Sequence, residues 1–211
     1  MKLLSLLVTL LALGLSVPAT AQAPNLQEGK HFTRLNMPQP TEAAGKVEVI
    51  EFFAYTCPHC ADFEPKLKSW LKKLPGDVHF RKVPAIFQAN WAPGARIYYT
   101  LEALGLLEKH SDEVFNAMIR QRINLTDEKT LLDWIGKQGI DRSQFANMYK
   151  SFAIDSKVRM AAEMTQEYGF GGVPAIVVGG KYMPGPGLSS QEEMLAVTSA
   201  LIAKNRAELK K

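Results

Sequence analysis

The only two cysteines of this 211-residue chain lie three positions apart, in Cys57-Pro58-His59-Cys60, directly after the run Val49-Ile50-Glu51-Phe52-Phe53-Ala54-Tyr55. Two thiols at that spacing, at the start of a helix, can close a small ring. The outer sulfur then faces backbone N–H groups that favour a thiolate. The pair therefore asks for a buried strand that ends where a helix begins, and it points to disulfide exchange.

The compartment fits that chemistry. Residues 1–21 read as a cleavable signal peptide: Lys2 opens it, Leu3 to Val17 is almost wholly apolar, and Pro18-Ala19-Thr20-Ala21 supplies small residues for cleavage after Ala21. No later segment reaches the roughly 18 apolar residues that a membrane span needs. Exported chains usually spend cysteines on staples, yet here no pair joins distant segments, and the chain is long enough to bury a core unaided. A bridge that closes so short a loop removes little unfolded-state entropy. Reactivity explains the pair better than bracing does. The net charge of +4 becomes +3 without Lys2. Lys204, Arg206, Lys210 and Lys211 read as a solvated helix end rather than a nucleic-acid surface.

Along the rest of the chain, Gln22 to Gly45 reads as a lead-in arm with a short strand at His31–Leu35. Lys46–Tyr55 reads as a central strand covered on both faces. Apolar spacing through Phe63, Leu67, Trp70, Leu71 and Leu74 predicts a helix over 57–74, with Pro58 in its first turn and Pro65 kinking it. A second strand follows at Val78–Pro84. Four helices are then expected, at 92–108, 112–122, 128–137 and 144–152. Ser111 and Thr126 mark two of the starts, and Gly139 with Asp141 marks a break. A fifth helix spans 155–168. A hairpin turns at Gly179-Gly180 between Ala175–Val178 and Lys181–Met183. Ser189 and Ser190, each three residues before a glutamate, open a final helix with Met194, Leu195, Val197, Thr198, Leu201 and Ile202 inward.

The run Glu51-Phe52-Phe53-Ala54-Tyr55-Thr56-Cys57-Pro58-His59-Cys60, followed by Phe63-Glu64 and far downstream by Gly172-Val173-Pro174, resembles the DsbA family. The resemblance covers essentially the whole chain beyond the leader. It implies an α/β thioredoxin fold with an inserted helical domain. The expected division is a signal at 1–21, a first thioredoxin-like part at 22–88, the insertion at 89–154 and a second part at 155–211. It also implies a periplasmic oxidase without a cofactor, soluble and monomeric, that passes its disulfide to reduced exported proteins. A quinone-linked membrane oxidase of the DsbB type would then reoxidise it.

In that setting Cys57 is the candidate nucleophile, as the first helical residue with His59 and Cys60 amides beside it, and Cys60 is the inner partner sulfur. His59 either adds charge contact with Cys57 or merely fills the turn. Pro174 would be a trans turn proline by frequency alone. The resemblance instead implies a cis bond after Val173, facing the cysteines and leaving the Val173 backbone to pair with an extended client. Strand alternation puts Val47, Val49, Glu51 and Phe53 on one face, so a carboxylate sits among core residues. Lys82 is its partner by resemblance, and Glu51 is either a proton relay beneath Cys60 or half of a structural ion pair. Glu64 reads as a solvated modulator of charge. Phe63, Phe170, Tyr182 and Met183 each read either as client-groove lining or as core, and none is taken as a site residue. Half a zinc site would need further ligands, and His31, His79 and His110 do not cluster with the motif. Ala61 stands where a haem-attachment motif requires histidine. A reductase or isomerase, or a peptide-binding module with idle cysteines, are the competing functions.

Overall fold

The computed structural model describes residues 26–210, so the leader and its cleavage after Ala21 lie outside the described residues. One mixed sheet is built from β1 (Phe32–Arg34), β2 (Val47–Phe53), β3 (Val78–Pro84), β4 (Ala175–Val178) and β5 (Tyr182–Pro184), in the order β1-β5-β4-β2-β3. β2 is an interior strand, between β3, to which it is parallel, and the middle strand β4, to which it is antiparallel. All seven of its residues are buried. Alternation explains how. Val47 and Val49 pack with Phe63 and Leu67 of helix α1 (Pro58–Leu71) and with Leu195 and Leu201 of helix α7 (Gln191–Leu209). Ile50 and Phe52 turn to the other cluster, with Val158 and Ala161 of helix α6 (Phe152–Glu167). Covering both faces lets so apolar a strand sit in water.

Between β3 and α6 the chain makes a helical block of α2 (Ala92–Ala103), α3 (Leu107–Phe115), α4 (Glu128–Lys137) and α5 (Arg142–Tyr149). Aromatic contacts fasten this block to the strand that leads into the cysteines. The Phe53 ring lies 5.2 Å from Tyr98 of α2, and Tyr55 lies 4.8 Å from Phe115 of α3. Offset or edge-on pairs at such distances each add about 0.5–1.5 kcal/mol beyond burial. The result is the expected thioredoxin fold with a helical insertion.

Several local expectations need correction. The predicted helix 92–108 is broken: α2 ends at Ala103, Gly105 takes φ +69°, and α3 starts at Leu107. Only glycine adopts that left-handed turn cheaply. Ser111 is therefore not a helix cap. It lies inside α3, and its hydroxyl pairs with the Tyr55 hydroxyl at 2.9 Å. Beyond α3 a π turn, Asn116–Arg120, carries the helical path on. Helix α4 is capped by Asp127, which accepts from the Thr130 amide at 2.9 Å, while Thr126 bonds Asn124 instead. Ser151 caps α6, which starts three residues earlier than predicted, and α5 ends at Tyr149. At α4 the adjacent Asp127 takes the orphan amide that Thr126 could have capped, so spacing alone mislocates such a start. Helix α1 contains Pro65 and ends at Leu71, three residues short of the predicted end.

The last hairpin forms as expected, with Gly179 and Gly180 at φ +58° and +60°. A Cβ on Gly180 would lie 2.1 Å from the Gln39 carbonyl oxygen, so glycine is required there on both counts. Helix α7 opens on Ser190, whose hydroxyl accepts from the Glu193 amide at 3.1 Å. The Glu193 carboxylate reaches back to the Ser189 amide at 2.7 Å.

Candidate active site

Cys57 sits at the end of the β2 segment and the start of α1. It is the N-cap of that helix, with φ −96° and ψ 115°, rather than its first helical residue, and Pro58 occupies N1. Proline costs nothing there, since the first amides of a helix have no internal partner. Both cysteines are free thiols; Cys57 is half-buried and Cys60 is buried. One helical turn separates them, so both lie on one face of α1 within reach of each other, with Cys57 at the open end of the helix and Cys60 buried one turn in.

The two sulfurs are electrostatically unlike. The Cys60 thiol, donating to the outer sulfur, pulls the Cys57 pKa down to about 6. The Cys60 and His59 amides and the His59 imidazole add to this, and partial burial opposes it. Cys60 moves the opposite way, because its hydrogen bond to Cys57 and its burial both favour the protonated form. No side-chain capping bond closes on the thiol, and the free amides of this helix end favour its anion. One sulfur is half-buried and acidic, and the other is buried and held in the protonated form.

Across from Cys57, the Val173–Pro174 bond is cis. The Cys57 thiol donates to the Val173 carbonyl at 3.5 Å. Cys57 and the Val173–Pro174 bond thus meet from positions more than a hundred residues apart in the chain, with Cys60 buried beneath Cys57. Pro58 and His59 remain on α1 beside it, with His59 exposed.

Behind the cysteines, Glu51 and Lys82 are register partners on β2 and β3, and Lys82 Nζ lies 3.1 Å from Glu51 Oε2. Burial pushes the Glu51 carboxyl up to about 7, even though the Lys82 charge pulls it down. Neither of its oxygens has an aligned hydrogen bond among the described residues. Burial also opposes the Lys82 charge, but the two flanking carboxylates overcome it and raise its pKa.

The second of those carboxylates is Glu64, and here the sequence reading was wrong. Glu64 is 7 % exposed and pairs directly with Lys82. The signal was present in the spacing: Glu64 follows Cys60 by four residues, so it shares that inward face of α1. A second buried carboxylate also went unmarked. Glu48, on the opposite face of β2 from Glu51, accepts from Arg81 Nε at 3.3 Å and from the Glu42 amide at 3.0 Å. Phe63, Phe170 and Tyr182 are all core residues, and Met183 is partly buried against the core. Among the described residues no cluster of His, Cys, Asp and Glu is arranged to hold a metal ion, and no helix is long and apolar enough to cross a membrane.

Comparison with known proteins agrees with this geometry. A DSBA-like thioredoxin domain model matches residues 82–197, and a thioredoxin model matches residues 32–100. The thiol:disulfide interchange protein DsbA of Burkholderia cepacia is 41 % identical over 187 residues, covering 88 % of this chain and 87 % of that protein. The DsbA of Pseudomonas aeruginosa is 36 % identical over 207 residues, covering 98 % of each. The crystal structure of P. aeruginosa DsbA superposes with a TM-score of 0.83 at 36 % identity, over 90 % of this chain and 99 % of that one. The Neisseria meningitidis oxidoreductase NmDsbA1 gives a TM-score of 0.80 at 31 % identity, over 89 % and 98 %. With a family model spanning more than half its length and relatives alike almost end to end, this chain belongs to the DsbA family of thiol:disulfide oxidoreductases.

Proposed function

We propose that this protein is a periplasmic dithiol oxidase that gives its Cys57–Cys60 disulfide to newly exported proteins and is reoxidised by a quinone-linked membrane partner of the DsbB type. The observation that carries the reading is the asymmetry of the pair: a half-buried Cys57 with its pKa drawn down to about 6, against a buried Cys60 whose pKa is raised. Whatever stabilises the Cys57 thiolate stabilises the reduced protein, and so makes its disulfide a strong oxidant.

A client thiolate attacks Cys57 Sγ. The Cys57–Cys60 bond breaks, a mixed disulfide forms, and Cys60 leaves as a thiolate that must take up a proton. A second client thiolate then attacks the client sulfur of the mixed disulfide, and Cys57 leaves as a stable thiolate. The client has lost two electrons and two thiol protons, and the enzyme has gained both electrons. On reoxidation those electrons pass to a quinone, which takes up two protons and becomes a quinol.

Glu51 serves as the proton relay for Cys60. A buried carboxyl with a pKa near neutrality and no aligned hydrogen bond can hold or release a proton at little cost. Lys82 keeps it within that range. Val173, with Pro174 behind it, offers its backbone to an extended client beside Cys57. His59 adds charge stabilisation of the thiolate. The enzyme acts as a soluble monomer, with the division of the chain into signal, two thioredoxin-like parts and insertion given above.

Two measurements test this. Equilibration with a glutathione buffer should leave the protein reduced under conditions that oxidise ordinary protein dithiols; a pair that stays oxidised there belongs to a reductase. Reduced ribonuclease should regain activity with the oxidised protein and not with Cys57→Ser. Equal turnover by that variant would leave the cysteines without a role.

A further inference from the structure

Gln191, the first residue of α7, lies far from the cysteines in sequence, yet its side-chain Nε2 donates to the His59 carbonyl at 2.9 Å. That carbonyl belongs to the same peptide group as the Cys60 N–H, one of the two amides that favour the Cys57 anion. A donor on the oxygen end of a peptide polarises its N–H end, and bonds in such a chain strengthen one another by roughly 10–30 %. The position of Gln191 is itself held. Ser190 and Glu193 cap the helix immediately around it. Its neighbour Glu192 pairs with Lys66 of α1 at 2.8 Å.

We propose that Gln191 is a positioning residue of this site: its hydrogen bond to the His59 carbonyl orients and polarises the peptide whose N–H faces the Cys57 sulfur, and so sets how readily the disulfide is given away. The inference rests on the oxidase reading and adds a control point from a separate element of the fold. Other groups also bear on Cys57. From α1 come the Cys60 thiol, the His59 imidazole and the two amides. The loop before β4 contributes the Val173 carbonyl. Glu51 of β2 acts on Cys60, and Lys82 of β3 and Glu64 of α1 act on Glu51. Among these, Gln191 is the group that reaches the motif's backbone from α7.

The test uses two variants in the full protein. Gln191→Met keeps the shape and loses the donor; Gln191→Glu replaces the donor with a repelling carboxylate. Ultraviolet thiolate absorbance against pH should show Cys57 in Gln191→Met ionising about twofold to threefold less readily than wild type. The equilibrium with glutathione should shift by the same factor, about 9 to 14 mV at about 29.6 mV per tenfold. Gln191→Glu should move both further in the same direction. The melting temperature of the reduced form should fall relative to that of the oxidised form, because only the reduced form carries the thiolate. Equal losses in both forms, with titration and equilibrium unchanged, would reduce Gln191 to a helix-docking contact and overturn the inference. Wild-type Cys57 that ionises like an ordinary thiol overturns the oxidase reading itself. Acidic wild type with an equally acidic Gln191→Met overturns this inference alone.

Discussion

Removing the inner thiol should make the outer one markedly less acidic while leaving it more acidic than a free cysteine. The Cys60 thiol is the largest influence on Cys57, ahead of the two backbone amides and the His59 charge. A hydrogen bond to a charged group contributes about 1.5–3 kcal/mol net, and about 1.4 kcal/mol corresponds to one pH unit in a midpoint. Cys60→Ala should therefore raise the Cys57 midpoint by about 1 to 2 pH units, from about 6 in wild type. It should still fall below the ordinary value of 9.0, because the amides and the imidazole remain. The link to stability has a definite sign. A depressed thiol pKa stabilises the folded reduced protein fully above the unfolded pKa, and that stabilisation is lost as pH falls towards about 6. At pH 7 the tenfold excess of thiolate is worth at most about 1.4 kcal/mol, less whatever solvent screening removes from a half-exposed sulfur. Thiolate absorbance across pH 4 to 10 (roughly the span over which thiols titrate), on wild type and Cys60→Ala, reads the midpoints directly. Unfolding of reduced wild type at several pH values reads the linkage. If Cys60→Ala titrates where wild type does, the inner thiol is not the source of the acidity, and the reasoning from site geometry fails.

Glu51→Gln should abolish a pH dependence in the oxidised protein. The raised pKa of Glu51 favours folding fully below about 4.5 and loses that contribution as pH rises through about 7, a swing of about 3 kcal/mol. Urea midpoints at intervals across this range should slope in wild type and flatten in the variant, and the same variant should slow the steps that protonate or deprotonate Cys60. Lys82→Met leaves Glu51 and Glu64 buried together without their cation, and should cost about 3–5 kcal/mol in urea unfolding at pH 7; a loss under 1 kcal/mol would mean that water reaches the pair. Tyr55→Phe strips the bond to Ser111 that ties the active-site strand to α3, at about 1 kcal/mol, with no change in the Cys57 midpoint. A midpoint that moved with it would show that the insertion tunes the site through this contact.

Much of the fold was legible because periodicity and burial are local signals. The seven buried residues of β2, the second strand at Val78–Pro84 and the hairpin at Gly179-Gly180 all follow from apolar spacing and glycine placement. The division of the helical block was less legible. Gly105 inside an apolar pattern could be a tolerated helix residue or a stop, and only packing decided for the stop. Ser111 looked like a cap because serine before two acids usually is one; the Tyr55 hydroxyl claimed it instead.

The sequence by itself determined the cysteine pair, its place at a strand-to-helix junction, and the fact that Glu51 faces the core. Each of these depends on residues within a turn or a strand of one another. Tertiary structure alone decided which groups surround the sulfurs. The Val173 carbonyl beside Cys57, the burial of Glu64 against Lys82, and the reach of Gln191 to the His59 carbonyl each join distant segments. Charge and hydrogen-bond energies depend on separation and burial, which no linear spacing specifies.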